Sequence, residues 1–478
     1  MPLIFERSHA GRRGITLDPL DVPEATLPQD LCRAHRAELP EVSELDVVRH
    51  FTNLSRKNFG IDSHFYPLGS CTMKYNPRMA EAVAALPGFA ALHPHLSTSE
   101  AYWPACQGAF ELIDVTERQL GEIAGMDAVT LQPIAGAHGE LTGVLLMAAY
   151  HQDHGNHHKN TILIPDSAHG TNPATAAIAG FNVVEIASLP DGTMDATAVE
   201  AAMSDNIAGI MMTCPNTHGL FERDVKRIAD MIHEVDAMLY YDGANLNAIM
   251  GHARPGDLGF DVMHYNLHKT FATPHGMGGP GSGPVGVSER LEPFLPGPRV
   301  EREGDRYVLR TSEKSIGRMA AFFGNFMIAL RAYSYIRHLG ADGLRDVSEL
   351  AVLNANYIQS RLENVYTPAF DGRCMHECVF TAVPQAKQGV KALDIAKALI
   401  DKGFHAPTVY FPLTVKESMM IEPTETESKE TLDAFCDAML EIAEAIDADP
   451  AALANAPTTT PVGRLNEVLA ARQLNCAC

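Results

Sequence analysis

Met238-Leu239-Tyr240-Tyr241-Asp242-Gly243-Ala244-Asn245, followed by Val262-Met263-His264-Tyr265-Asn266-Leu267-His268-Lys269-Thr270, repeats one pattern: an unbroken apolar run closed by polar residues. A strand that is apolar along its whole length is buried on both faces, as in a parallel sheet covered by helices. Four similar runs flank this stretch, at 161–164, 182–186, 209–213 and 284–287, and helical patterns at 173–179, 196–203 and 223–235 separate several of them. Strands alternating with helices predict crossover units and a mostly parallel sheet of α/β class.

Outward from this centre the pattern loosens. Helical spacing precedes it at 110–123 and 140–150; a polar stretch rich in Pro, Gly and Arg follows at 293–313. A long helical region then spans 316–360, with a break near Gly340. A smaller α+β unit runs from about 374 to 446, with a strand near 379–383, a helix near 392–402, a loop at 407–423 and a last helix near 429–446. The first ninety-odd residues read as an extended arm with a helix or two in 30–50, and the final thirty as a loose tail. The division expected is an arm at 1–95, a large domain at 96–340, a small C-terminal α+β domain at 341–450 and a tail at 451–478.

Composition narrows the function classes. The 478 residues carry a net charge of −22, which opposes general nucleic-acid binding but leaves room for a local phosphate pocket. No apolar run is long enough to span a bilayer, and no export signal is evident at the start. Nine cysteines, odd in number and scattered, fit a reduced cytoplasm. Cys374 and Cys378, and the Cys476-Ala477-Cys478 tail, lack the second pair a zinc site needs, and no metal is expected.

Ligands of open parallel sheets bind beyond the carboxyl ends of the strands. Asp242 and Lys269 each follow an apolar run, so both fall on one rim. An aspartate there can hold a protonated pyridine nitrogen, and a lysine one strand on can form a Schiff base to an aldehyde. That pair is what pyridoxal chemistry needs, because the ring must stay charged to accept electrons. Taken singly, such an Asp is usually a turn or helix cap and such a Lys is usually solvated.

Other strand ends add to the pair. Ile134-Ala135-Gly136-Ala137-His138-Gly139-Glu140 enters the 140–150 helix and can cradle a phosphate by its backbone N–H groups, or be a plain glycine-rich helix entry. His169, after the 161–164 run, can stack on a ring, while Thr171 or Asn172 caps the helix that Pro173 begins. Thr217 or Asn216, after the 209–213 run, can donate to a phenolic oxygen. The cluster His151, His154, His157 and His158 reads as a solvated helix end, since Gly155 and Asn156 interrupt it. The glycine-rich 276–286 stretch lacks the strand and helix of a dinucleotide fingerprint.

Together these segments resemble the decarboxylating glycine dehydrogenase family of the glycine cleavage system, in its second-subunit form. The matching stretches include Leu68-Gly69-Ser70-Cys71-Thr72-Met73-Lys74, Ser167-Ala168-His169-Gly170-Thr171-Asn172-Pro173-Ala174, Asp242-Gly243-Ala244-Asn245-Leu246-Asn247-Ala248, Asn266-Leu267-His268-Lys269-Thr270-Phe271, His405-Ala406-Pro407-Thr408 and Glu422-Pro423-Thr424-Glu425. They run in family order over roughly the whole chain. The lysine and Ser-Ala-His-Gly-Thr-Asn-Pro segments are highly specific; the glycine loop is not, and many members carry Gln where this chain has His138.

The resemblance implies a fold-type-I pyridoxal enzyme of the aminotransferase-like class. It assigns Lys269, His169 and Asp242 to catalysis, and Gly136, Ala137, His138, Thr217, Ala244 and His268 with them to pyridoxal 5′-phosphate. Ser70, Cys71 and Thr72 are expected at the substrate. It further implies decarboxylation of glycine with transfer of an aminomethyl group to the lipoyl disulfide of a small H-protein. A separate subunit 1 is expected, in a heterotetramer of two each. The alternatives are another fold-type-I enzyme, such as an aminotransferase or an amino-acid decarboxylase, and a non-catalytic assembly subunit.

Overall fold

A computed structural model describes residues 2–35, 37–276 and 281–474. Cys476 and Cys478, and part of the 276–286 stretch, lie outside the described residues. The chain forms two compact units, residues 1–60 with 455–478, and residues 61–454.

The larger unit is built on a seven-stranded sheet: β1 Ala128–Thr130, β2 Thr161–Pro165, β3 Asn182–Ile186, β4 Ile207–Thr213, β5 Met238–Gly243, β6 Val262–Tyr265 and β7 Val285–Val287. Their order is β1-β7-β6-β5-β4-β2-β3. The strands from β6 to β3 are mutually parallel, and β7 runs antiparallel to both its neighbours. The expected mostly parallel α/β class is therefore found.

Side-chain alternation explains the continuous apolar runs. Met238 and Tyr240 enter one core with Val144 and Met147, whereas Leu239 and Tyr241 enter the other with Phe110 and Ile228. Successive side chains point to opposite faces, so a sheet covered on both sides demands apolar residues at every position. The helix Gly136–Asp153 covers one face closely: a Cβ on Gly143 would strike the Tyr240 ring, and one on Gly139 the Gly283 carbonyl oxygen.

Several sequence readings need correction. The 293–313 stretch contains a hairpin, β8 Arg299–Glu303 and β9 Arg306–Arg310, in which only Val300 and Val308 are buried, so that no apolar run marked its strands. The long helix begins at Phe326, not 316, and kinks at Gly340 (φ 65°, ψ −172°). In the small sheet, of order β10-β11-β13-β12, β10 is Thr367–Pro368, β11 Cys378–Thr381, β12 Thr408–Val409 and β13 Ser418–Ile421. The last two lie in the stretch read as a loop. In the smaller unit one helix is Glu44–Ser55, begun by a capping box between Ser43 and Asp46, and another, Glu467–Arg472, lies in the stretch read as a loose tail.

Gly243 closes β5 with no room for a side chain: a Cβ there would run into the His264 carbonyl oxygen of β6. Gly243→Ala is expected to cost about 1–3 kcal/mol, the usual penalty of overpacking. Gly88→Ala, with nothing within 4 Å of its Cβ position, should stay within about 0.5 kcal/mol of the parent. Thermal melts of the two variants make the comparison.

Candidate active site

A cavity of about 230 Å³ opens at the carboxyl ends of β2, β4, β5 and β6. Gly136, Ala137 and Glu140 line it from the first turns of the helix Gly136–Asp153, and His169 and Thr171 from the segment after β2. Thr213 and Thr217 come from the end of β4, and Asp242, Ala244 and Asn245 from the end of β5. His264, Asn266, His268 and Lys269 come from β6 and the turn beyond it, and Ser70 from the segment preceding the sheet. Nine residues expected from sequence thus share one cavity: Lys269, Asp242, His169, Gly136, Ala137, Thr217, Ala244, His268 and Ser70.

Three expected residues do not line it. His138 turns back along its own loop, where Nδ1 accepts the Ile134 N–H at 3.2 Å. Thr72 is buried against Glu422. Cys71 gives its carbonyl oxygen to His275 Nε2 at 2.9 Å, and burial pushes its thiol up to about 11. Asn216, the alternative to Thr217, bonds Gly192 and Glu222 instead.

Asp242 is buried and multiply bonded. Oδ1 accepts the Ala244 N–H at 3.0 Å, Oδ2 accepts Asn172 Nδ2–H at 3.2 Å, and His264 Nε2 stands 3.3 Å from Oδ1. Parallel register places His264 beside Asp242, and its Nδ1 meets the Tyr240 hydroxyl at 2.8 Å. Burial pushes this carboxyl up, but His264, the Ala244 N–H, Lys269 and Asn172 together hold it below the usual range. Glu140 goes the other way: burial, then the charge of Asp242, raise it to about 8. The site therefore keeps one carboxylate charged and its neighbour neutral at pH 7.

The histidines are neutral. Burial lowers His169, whose Nδ1 accepts the Thr171 N–H at 3.3 Å, leaving the proton on Nε2. Burial and then Lys269 lower His268 to about 3; its Nδ1 accepts the Ser282 N–H at 3.4 Å, so its Nε2–H is the donor. Among the described residues the Lys269 ammonium has no hydrogen-bond partner, although its charge acts on Glu140, Asp242, His169 and His264.

One end of the cavity suits an anion. The N-cap of the helix Gly136–Asp153 is Ala135, which has no side chain to cap it, so first-turn N–H groups remain for a ligand. Ser43, Asp195 and Ser428 cap their helices with side chains. Among the described residues, Glu140 Oε2, Asn172 Oδ1 and Asn245 Oδ1 are buried without a partner. An amine, a held carboxylate and an uncapped helix start in one cavity fit an aldehyde, a basic ring nitrogen and a phosphate on one molecule.

Sequence reasoning missed Glu140 and His264 as site residues. His264 sat inside an apolar run, and only its parallel register with Asp242 could have marked it. The histidine cluster has structural partners: His151 Nε2 bonds the Ala208 carbonyl oxygen at 2.9 Å, His154 stacks on Tyr150, and His158 faces Asp205 at 3.1 Å.

The family model described as "Glycine dehydrogenase, C-terminal domain" matches residues 347–458. Relatives named "Probable glycine dehydrogenase (decarboxylating) subunit 2" align over nearly their whole length. The protein of Caldanaerobacter subterraneus subsp. tengcongensis is 54% identical over 475 residues, covering 98% of this chain and 97% of that protein. That of Thermotoga maritima is 53% identical over 471 residues, 98% of each. Among solved structures, glycine decarboxylase (P-protein) of the glycine cleavage system superposes with a TM-score of 0.73 at 20% identity, covering 87% of this chain and 93% of that one. Lactobacillus brevis glutamate decarboxylase does so at 0.68 and 14%, covering 90% and 96%. At these identities the structural likeness establishes the fold.

Proposed function

We propose, from the premise that this chain belongs to the glycine dehydrogenase (decarboxylating) subunit 2 family, that its cavity binds pyridoxal 5′-phosphate and there removes CO₂ from glycine. The chain is thus an enzyme subunit of the glycine cleavage system. The aminomethyl group left behind passes to the lipoyl disulfide of an H-protein. The observation that carries this reading is that Asp242 and Lys269 line the same cavity.

Bound there, the cofactor supplies an aldehyde for the amine of glycine and a charged ring that accepts the electron pair left by departing CO₂. Lys269, whose amine faces this cavity, would be the residue that holds the cofactor through its aldehyde. Asp242, held below the usual carboxyl range, would hold the proton on the ring nitrogen, and Ala244 contributes the N–H that fixes Asp242. The N–H groups of Gly136 and Ala137, with His268 Nε2–H, receive the phosphate. His169 would stack on the ring, and Thr217 would serve its phenolic oxygen. Ser70 lies on the substrate side.

The test is carbon exchange. Chain co-purified with its partner should exchange labelled bicarbonate with the glycine carboxyl group, faster with lipoylated H-protein. Amino-group transfer without CO₂ exchange would identify an aminotransferase and end the proposal.

The partner is a subunit 1, two of each in the assembly. An apolar surface open to a partner supports an assembly, though not its stoichiometry: Ile15, Leu17 and Leu20 are 80%, 81% and 73% exposed. Burying one such side chain is worth roughly 1.5–3 kcal/mol. Leu17→Ser with Leu20→Ser is therefore expected to weaken assembly about tenfold or more, read by light scattering. No described helix is long and apolar enough to cross a membrane, and the seven described cysteines are free thiols, as a reducing compartment keeps them. We read the location as cytoplasmic.

A further inference from the structure

The small sheet reaches the cavity through one loop. Leu68 bridges Ile421 at the end of β13, and Thr408 Oγ1 donates to the Gly69 carbonyl oxygen at 2.8 Å. The next residues leave the sheet in an unusual backbone: Ser70 and Thr72 have φ of 62° and 51°. A β-branched residue rarely adopts that conformation, so surrounding contacts must impose it.

Two carboxyl groups supply those contacts. Glu377 Oε2 accepts the Ser70 N–H at 2.8 Å. Glu422 accepts the Thr72 N–H at 2.8 Å and the Thr72 hydroxyl at 2.6 Å. The acids are also opposite one another: the antiparallel ladder pairs Cys378 with Ile421, which brings Glu377 and Glu422 to the next facing positions. Both are fully buried. Like charges facing across a ladder destabilise it, and a buried acid needs hydrogen bonds to offset its burial. The donors at hand are those of the Ser70–Thr72 loop, with Asn247 Nδ2–H reaching Glu422 Oε1 at 3.5 Å. Burial, then Glu422, push Glu377 well above the usual carboxyl range, so Glu377 is held neutral.

A metal ion explains this cluster poorly. His376 Nε2 lies 3.8 Å from Glu377 Oε1 and 4.0 Å from Glu422 Oε1, wider than the roughly 3–3.5 Å between ligands of an ion bound at about 2.0–2.2 Å. Glu422 is moreover committed to Thr72.

We propose that Glu377 and Glu422 are positioning residues: through the backbone N–H groups of Ser70 and Thr72 they fix where Ser70 stands in the Lys269 cavity. Glycine binding then depends on a carboxyl pair in the small sheet that touches neither glycine nor cofactor. The part concerning glycine rests on the function proposed above; the part concerning the loop does not.

Cys71 reports on the loop directly. In the full-length chain, alkylation at pH 8 is followed by mass spectrometry of the Cys71 peptide. Releasing the loop exposes the thiol and returns its titration towards the ordinary range, so Glu377→Leu and Glu422→Leu should label about tenfold faster or more. Glu377→Gln keeps an acceptor for the Ser70 N–H and should label at the parent rate. Should the leucine variants fail to fold, Thr72→Val removes only the hydroxyl bond to Glu422 and should label about threefold faster. In the complex with subunit 1, Glu422→Gln should raise KM for glycine at least about tenfold with kcat within threefold, since uniform binding is what it removes. Parent-rate labelling in every folded variant, or a loss confined to kcat, overturns the proposal. Faster labelling in a protein that never turns over glycine would overturn the function and leave the positioning role standing.

Discussion

Lys269→Ala is expected to yield a folded chain that no longer fixes pyridoxal phosphate covalently and exchanges glycine carbon roughly 10³–10⁴-fold more slowly. The magnitude is that of losing a positioned acid–base group, here with the covalent anchor as well. Folding should survive because the Lys269 side chain is only half-buried and its ammonium lacks a hydrogen-bond partner among the described residues. The backbone of its short helix, Leu267–Thr270, is held elsewhere: Lys74 Nζ donates to the Thr270 carbonyl oxygen at 2.8 Å, and the Leu267 N–H reaches Ser282. Lys74 is itself fixed by Glu425 at 2.8 Å. Borohydride treatment of the parent should place the cofactor on one peptide containing Lys269, and the variant should lose both that label and the visible absorbance. Label on another lysine would remove Lys269 from the site.

What could be read from sequence follows from what is local. β2, β4, β5 and β6 were legible because burial on both faces leaves a continuous apolar run, and parallel strands bring their carboxyl ends to one rim. That reasoning brought Asp242, Lys269, His169 and the pair Asn216 and Thr217 to the rim; the choice of Thr217 and the roles of all four rested on the family resemblance. β1, with only three residues, was too short to carry a period. β12 and β13 were hidden by Pro407, Pro412 and Pro423 around and between them, and β13 also by a pairing partner, β11, some forty residues away. The same distance concealed Glu377 and Glu422: each reads as an ordinary acid at a strand end, and only antiparallel register shows them facing one another beneath the Ser70–Thr72 loop. Glu140 was quoted as part of a helix entry, but its raised titration depends on burial and then on the charge of Asp242, neither of which a local pattern contains.

Asp242→Asn separates charge from shape. Asparagine preserves the volume and can still accept the Ala244 N–H, but it cannot stabilise a proton on a ring nitrogen by charge. Removing one preorganised electrostatic partner of this kind costs roughly 10²–10³ in kcat, while glycine binding, which does not need the ring charge, should change little. Asp242→Ala should lose as much activity and also stability. The Ala244 N–H, Asn172 Nδ2 and His264 would each lose a buried acceptor, at about 1–3 kcal/mol for a group left unsatisfied. The sign of the pH effect follows from the depressed folded-state value of Asp242. Its stabilising contribution is complete above the unfolded aspartate range and is lost as pH falls through the lower, folded value. Parent and Asp242→Asn melting curves should therefore converge in acid below the ordinary aspartate value of 3.8 and separate above it. A gap that stays constant across that range, or a kcat loss matched by an equal rise in KM, would make Asp242 a structural cap, with the ring charge held by another group.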